Sequence, residues 1–243
     1  MALTELDILI GTFNLLFVII SFIVGISILT RYWKTKRIHF IYVGLVWMGI
    51  CTPWLHGALT FVLELFGALM PEQLRFVIAY VFIPIIIVLW MKVFGDLVYP
   101  KKEKLLFNIY LILCIICEII FFIFLFTDYK TYVGYFSQPF LATYQPFTRY
   151  TLMFFLASGF ITFMIFANKS LKSTDKEIKL KGKFLIIAMV TFTACSVLDS
   201  FKFFATIPIL IVITRIFLML SAIEFYFGWI LPNFIKKLFI KEK

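Results

Sequence analysis

The sequence predicts an all-α fold: a polytopic membrane protein, a seven-transmembrane helix bundle with its N-terminus outside and its C-terminus cytoplasmic. Three observations predict it. Of 243 residues, 63% are apolar and 15% charged, whereas a soluble domain keeps about a quarter of its residues charged. Seven stretches are apolar over a length that crosses a bilayer, which takes roughly 20 residues for about 30 Å of hydrocarbon. Lysine and arginine collect in every second gap between those stretches. One domain, residues 1–243, accounts for the chain. The net charge of +10 does not point to nucleic acid, because the basic residues flank apolar spans and form no polar fold of their own.

Span one covers 7–30. The segment before it carries Glu5 and no basic residue, so it lacks the positive start of a secretory signal and is expected to stay in the mature protein. Span two (38–66) contains Pro53 and span three (72–99) contains Pro84. A proline inside a helix removes an N–H and crowds the preceding turn, so both spans are expected to kink. Spans four and five cover 105–127 and 148–168. Span six covers 183–206, and Thr174-Asp175-Lys176-Glu177 before it has a capping-box pattern, which starts the helix near Asp175. Span seven covers 207–231, with Pro208 in its first turn, where a missing N–H costs little. Spans six and seven are so close that one bent hairpin would reduce the count to six. In the tail, 232–243, Phe234, Ile235, Leu238 and Phe239 recur at helical spacing beside Lys237 and Lys241. That pattern predicts a short basic interfacial helix on the inner leaflet, where lysines gain from anionic lipids, the alternative being a frayed charged tail.

Basic residues near short loops stay on the cytoplasmic side. The gaps after spans one, three and five and the tail hold 17 of the 23 lysines and arginines, while the opposite gaps hold Arg75, Lys130 and Arg149. That asymmetry sets the orientation and a cell-membrane location. The longest outer connection, 128–147, is aromatic: Tyr129, Tyr132, Tyr135, Phe136, Phe140, Tyr144 and Phe147. It reads either as an aromatic belt at the headgroups or as a lid over an outward cavity.

Ionisable residues inside spans are costly and face the bundle interior with a partner. Counting 1.5 Å per residue, Asp199 and Arg215 lie about 10 Å below the outer surface, so a bridge between them is geometrically allowed. Lys202, one turn above Asp199, is within reach of Asp199 or of Glu64. His56 and Glu118 share a level at mid-depth. Lys92 and Glu224 match nearer the inside, with Asp96 one turn below Lys92. These three are expected to form a structural ion pair. His56, Glu64, Glu118, Asp199, Lys202 and Arg215 are expected to line a polar, outward-facing ligand cavity, the alternative being pairs that merely fix helix order.

Several chemistries are set aside. With two histidines, His39 and His56, a three-histidine zinc hydrolase is excluded. Span seven has no lysine for a retinal Schiff base. Ser158-Gly159 reads as close helix packing, not as half of a serine protease. Cys114 and Cys117 lie mid-span among apolar neighbours, and with Cys51 and Cys195 they read as small buried hydrophobes. The matching prolines of triple-helix transporter repeats are absent from spans five and six. No catalytic set, cofactor or metal site is expected, so the protein is not expected to be an enzyme.

The G-protein-coupled receptor pattern is not met: span three ends Gly95-Asp96-Leu97-Val98, and span seven ends Trp229-Ile230-Leu231-Pro232-Asn233. Trp47-Met48-Gly49, and Tyr80-Val81-Phe82-Ile83-Pro84 leading to Trp90, resemble the seven-helix sensor region found in front of some prokaryotic histidine kinases. No kinase domain is expected to follow span seven. The resemblance implies a receptor-like or sensory protein that passes its signal to a cytoplasmic partner through the inner loops or tail. A small polar ligand would enter from outside, and membrane lipids would be the surrounding partner. A small proton-coupled transporter and a membrane scaffold subunit are the alternatives.

Overall fold

The computed structural model describes residues 3–138, 140–201 and 207–240. Helix α1, Glu5–Leu29, opens on a capping box in which the Asp7 amide donates to the Thr4 hydroxyl oxygen and the Thr4 amide to the Asp7 carboxylate. A short helix α2, Arg31–Thr35, turns the chain. The second span is two helices, α3 His39–Ile50 and α4 Thr52–Leu65, bent by 58° at Cys51. Pro53 causes the break: it has no N–H to give the Gly49 carbonyl one turn back. The Thr52 hydroxyl donates to that carbonyl instead, at 2.8 Å.

The third span is α5 Glu72–Tyr80 followed by α6 Phe82–Val98. The backbone at Val81 stays helical, so Pro84 interrupts this span without bending it as Pro53 bends the second. Helix α7, Glu103–Tyr132, loses helical geometry at Asp128. Strands β1 Gly134–Gln138 and β2 Leu141–Tyr144 then form an antiparallel hairpin. Helix α8, Pro146–Leu171, and α10, Pro208–Ile230, each place a proline in the first turn. Helix α9, Lys176–Asp199, is capped by the Asp175 carboxylate, which accepts from the Glu177 and Ile178 amides. Helix α11, Asn233–Phe239, closes the described chain.

Among the described residues, six helices are long and apolar enough to cross a membrane, or seven if the bent α3–α4 pair is one span. Their neighbour order is a ring. Helix α1 packs on α3, α4 and α10; α3 on α6; α6 on α8; α8 on α9; and α9 on α10. Helix α7 lies outside the ring against α6, with few buried residues. Because lipid tails are as apolar as side chains, close helix contact in a membrane depends on small residues. At the α1–α3 crossing, a Cβ on Gly44 would lie 2.5 Å from the Gly25 carbonyl oxygen.

Aromatic rings fill the interior. Trp90 stacks on Phe163, Phe163 meets Phe225, Phe225 stacks on Trp47, and Trp47 leads through Phe192 to Trp54 and Phe17. Each such pair adds about 0.5–1.5 kcal/mol beyond burial. The chain of rings joins α6, α8, α10, α3, α9, α4 and α1. One end of the bundle carries the hairpin and the amino-terminal residues. The other carries the lysine-rich turns, where Ile235 of α11 packs on Leu180 and Leu231 and Lys236 reaches Glu177 at 3.0 Å. Phe234, Leu238 and Phe239 remain exposed there.

Candidate functional site

Helix α4 presents two working faces. Its 3.6-residue period sets Trp54, Gly57 and Phe61 on one side and His56 and Thr60 on the other. The first side meets α1: Phe61 covers Gly11, and a Cβ on Gly57 would lie 2.6 Å from Asn14 Nδ2. The second side faces the hairpin.

On the α1 side lies a buried four-helix junction. Arg215 is 8% exposed. Its Nε donates to Asn14 Oδ1 at 2.9 Å, and its Nη1 forms a close ion pair with Asp199 Oδ2. Trp54 Nε1 donates to that same Oδ2 at 2.7 Å, and the guanidinium carbon lies 5.9 Å from the Trp54 ring centroid. Buried ions are tolerated when paired and hydrogen-bonded. This one is held from α1, α4, α9 and α10.

On the hairpin side, Phe136 of β1 is the centre. The Arg75 guanidinium lies 3.5 Å from its ring centroid, Phe76 at 4.7 Å, and the His56 ring meets it edge-on at 5.5 Å. Phe140 packs on Phe61, joining Ile10 and Ile211. The hairpin therefore covers the ends of α1, α4, α5 and α10, while Tyr132 and Tyr135 stay exposed. Arg75 is 6% exposed, with Glu64, Glu72 and Tyr144 in electrostatic reach. Burial pushes the Tyr144 phenol up to about 12, against the opposing charge of Arg75. His56 is 4% exposed, and its Nδ1 has no hydrogen-bond partner among the described residues. A neutral imidazole has one donor and one acceptor nitrogen, so a buried hydrogen-bonding position is on offer under the hairpin.

The residues expected to share one cavity are thus in separate places. Asp199 and Arg215 meet each other. His56 faces the hairpin, and Glu64 lies toward Arg75. Glu118 is on the peripheral α7, where it borders an apolar groove with Ile119, Phe122 and Phe126, and its carboxyl oxygens have no hydrogen-bond partner among the described residues. Lys202 lies outside the described residues.

The expected Lys92–Glu224 pair needs correction. Lys92 forms a close ion pair with Glu103 of α7 and lies 3.8 Å from Asp96, which in turn contacts His39 at 3.3 Å. Equal depth did not bring Glu224 to Lys92, because α6 packs on α3, α7 and α8 whereas α10 packs on α1 and α9. The Glu224 Oε2 atom is buried without a partner among the described residues.

Sequence reasoning passed over Asn14, Trp54, Arg75 and Glu103. Asn14 carried a signal: a polar amide amid the apolar run of span one. Trp54 carried none, since its packing and its hydrogen bond look alike in sequence. Among the described residues no group of three or more His, Cys, Asp or Glu side chains is gathered as metal ligands would be. No protein-family model and no curated protein matches this sequence.

Proposed function

We propose that this chain is a receptor-like, sensory protein of the cell membrane, with seven spans, its amino end outside and its carboxyl end cytoplasmic. The concentration of 17 of 23 basic residues in alternate gaps supports the orientation. A small polar ligand binds beneath the hairpin. The observation that carries this reading is His56, buried under Phe136 with one ring nitrogen that has no hydrogen-bond partner among the described residues.

The relay follows from the two faces of α4. This half-span hinges at Cys51, and its first turn holds Asp199 through Trp54. Ligand contact at His56 that tilts α4 therefore pulls on the Asp199–Arg215 junction, and so on α9 and α10. At their far ends these helices carry the lysine-rich start of α9 and the docked α11, tied by Glu177 and Lys236. A cytoplasmic partner reads that surface.

The test is hydrogen–deuterium exchange of the protein in nanodiscs against a panel of small carboxylates, amines and sugars. A ligand is expected to slow exchange in 134–144 and to change it in 169–183 of the wild type, with both effects lost in His56→Phe. If no compound in the panel protects 134–144, or if His56→Phe responds like the wild type, the reading fails.

A further inference from the structure

A second recess lies at the lysine-rich end of the bundle, between α3, α6 and α7. It is half-open, has a volume of about 360 Å³, and is bordered by Tyr42, Leu89, Lys92, Glu103, Lys104 and Phe107. One flank is apolar, Leu89 and Phe107. The other is polar and charged, with two ammonium groups, one carboxylate, a phenol and the Asn108 carboxamide. Within the recess Lys92 is balanced by Glu103 and Asp96, so the uncompensated positive charge is on Lys104 at its rim. Glu103 takes one N–H of Lys92 and Asp96 lies 3.8 Å from it as a second carboxylate, and an ammonium has three N–H groups. Lys104 is exposed, and the neighbouring 3-10 turn Pro100–Lys102 adds Lys101 and Lys102, also exposed.

We propose that this groove binds one anionic phospholipid, with its phosphodiester held by Lys92 and Lys104 and one acyl chain lying along Leu89 and Phe107. Three features argue for this occupant. The groove is amphipathic in the sense a phospholipid requires, polar beside apolar over a short distance. The exposed Lys101, Lys102 and Lys104 give its rim the positive charge that a phosphodiester complements. It also sits among the lysines that mark the bundle end, where headgroups lie and basic pockets between helices hold anionic heads. A soluble phosphate compound would leave the Leu89–Phe107 flank uncovered. The site is independent of the ligand reading for His56, at the opposite end of the bundle. It also gives the peripheral α7 a reason to be retained against α6: the lipid bridges the two helices beside the Lys92–Glu103 ion pair.

The experiment uses the full chain extracted from bilayers of phosphatidylcholine with a minor fraction of phosphatidylglycerol, with retained lipid counted by native mass spectrometry. The wild type is expected to keep phosphatidylglycerol in preference to phosphatidylcholine. Lys104→Gln is expected to lower that retention about fivefold, the effect of one lysine at an anionic membrane surface. Lys172→Gln, at the same end but away from the groove, is expected to leave it unchanged. Lys104 is exposed, so its variant should fold, and an unchanged melting temperature in pure phosphatidylcholine checks that. Equal loss in both lysine variants, equal retention of both lipids, or equal protection by soluble glycerol phosphate would each overturn the assignment.

Discussion

Trp54 and Arg215 meet on one oxygen of Asp199, the indole N–H from α4 and the guanidinium from α10 converging on Oδ2 of α9. With Asn14 holding Arg215 Nε from α1, four helices are joined at one point. The junction is directional, because an indole nitrogen donates and never accepts. It places the hinge half-span, which also carries His56, in mechanical contact with the last two spans.

Arg215→Ala leaves Asp199 charged and half-satisfied in a half-buried site, so unfolding stability is expected to fall by about 1–3 kcal/mol. The exchange Asp199→Arg with Arg215→Asp is expected not to restore it, since the Trp54 N–H would then face a cation. Thermal unfolding in nanodiscs checks both. Recovery in the exchange variant would mean that charge pairing alone matters there.

Trp54→Phe keeps most of the ring but removes the donor to Asp199, and is expected to cost about 1–2 kcal/mol more than ring trimming alone. The comparison is Trp47→Phe, since the Trp47 indole nitrogen is buried with no partner among the described residues. The two melting shifts measured side by side give the value of the bond.

Gly44→Val forces a branched side chain against the Gly25 carbonyl and the Leu29 backbone. Neither neighbour is a flexible side-chain tip, so overpacking is expected to cost about 1–3 kcal/mol or more. The melting temperature should drop, and Gly25→Ala, which meets the movable Met48 side chain first, should drop it less.

Arg75→Ala removes the cation from the Phe136 face. A desolvated cation–π contact is worth about 0.5–2 kcal/mol, so amide exchange in 134–144 should speed up about two- to thirtyfold. Unchanged exchange would show that Phe76 and His56 hold Phe136 by themselves.

The hairpin should also loosen in alkali. The Tyr144 phenol is pushed up to about 12 in the folded protein, above the ordinary value near 10. The neutral form is thus preferred in the fold, and its contribution is complete below pH of about 10 and lost as pH rises toward about 12. Exchange of the hairpin followed over that window should accelerate in the wild type and less in Tyr144→Phe.

Much of the fold was legible along the chain. The start of α9 at Asp175, the start of α10 at Pro208 and the break beside Pro53 all follow from local chemistry: a side-chain cap, a missing N–H, a freed carbonyl. Pro84 shows the limit of that reasoning, because its span continues through Val81 without a comparable bend. The site was less legible. Asp199 and Arg215 lie on consecutive helices at similar depth, and they do meet. Lys92 and Glu224 also match in depth and do not, since depth says nothing of azimuth.

Sequence by itself determined which segments are helical, how long and apolar they are, and which end of the bundle collects lysine. Those properties are sums over neighbouring residues, with depth following from 1.5 Å of rise per residue. Tertiary structure alone decided that α7 stands outside the ring, that Trp54 reaches Asp199, and that Phe136 covers His56. These depend on how helices rotate and which small residues let them approach, and that choice is made by contacts between segments far apart in the chain.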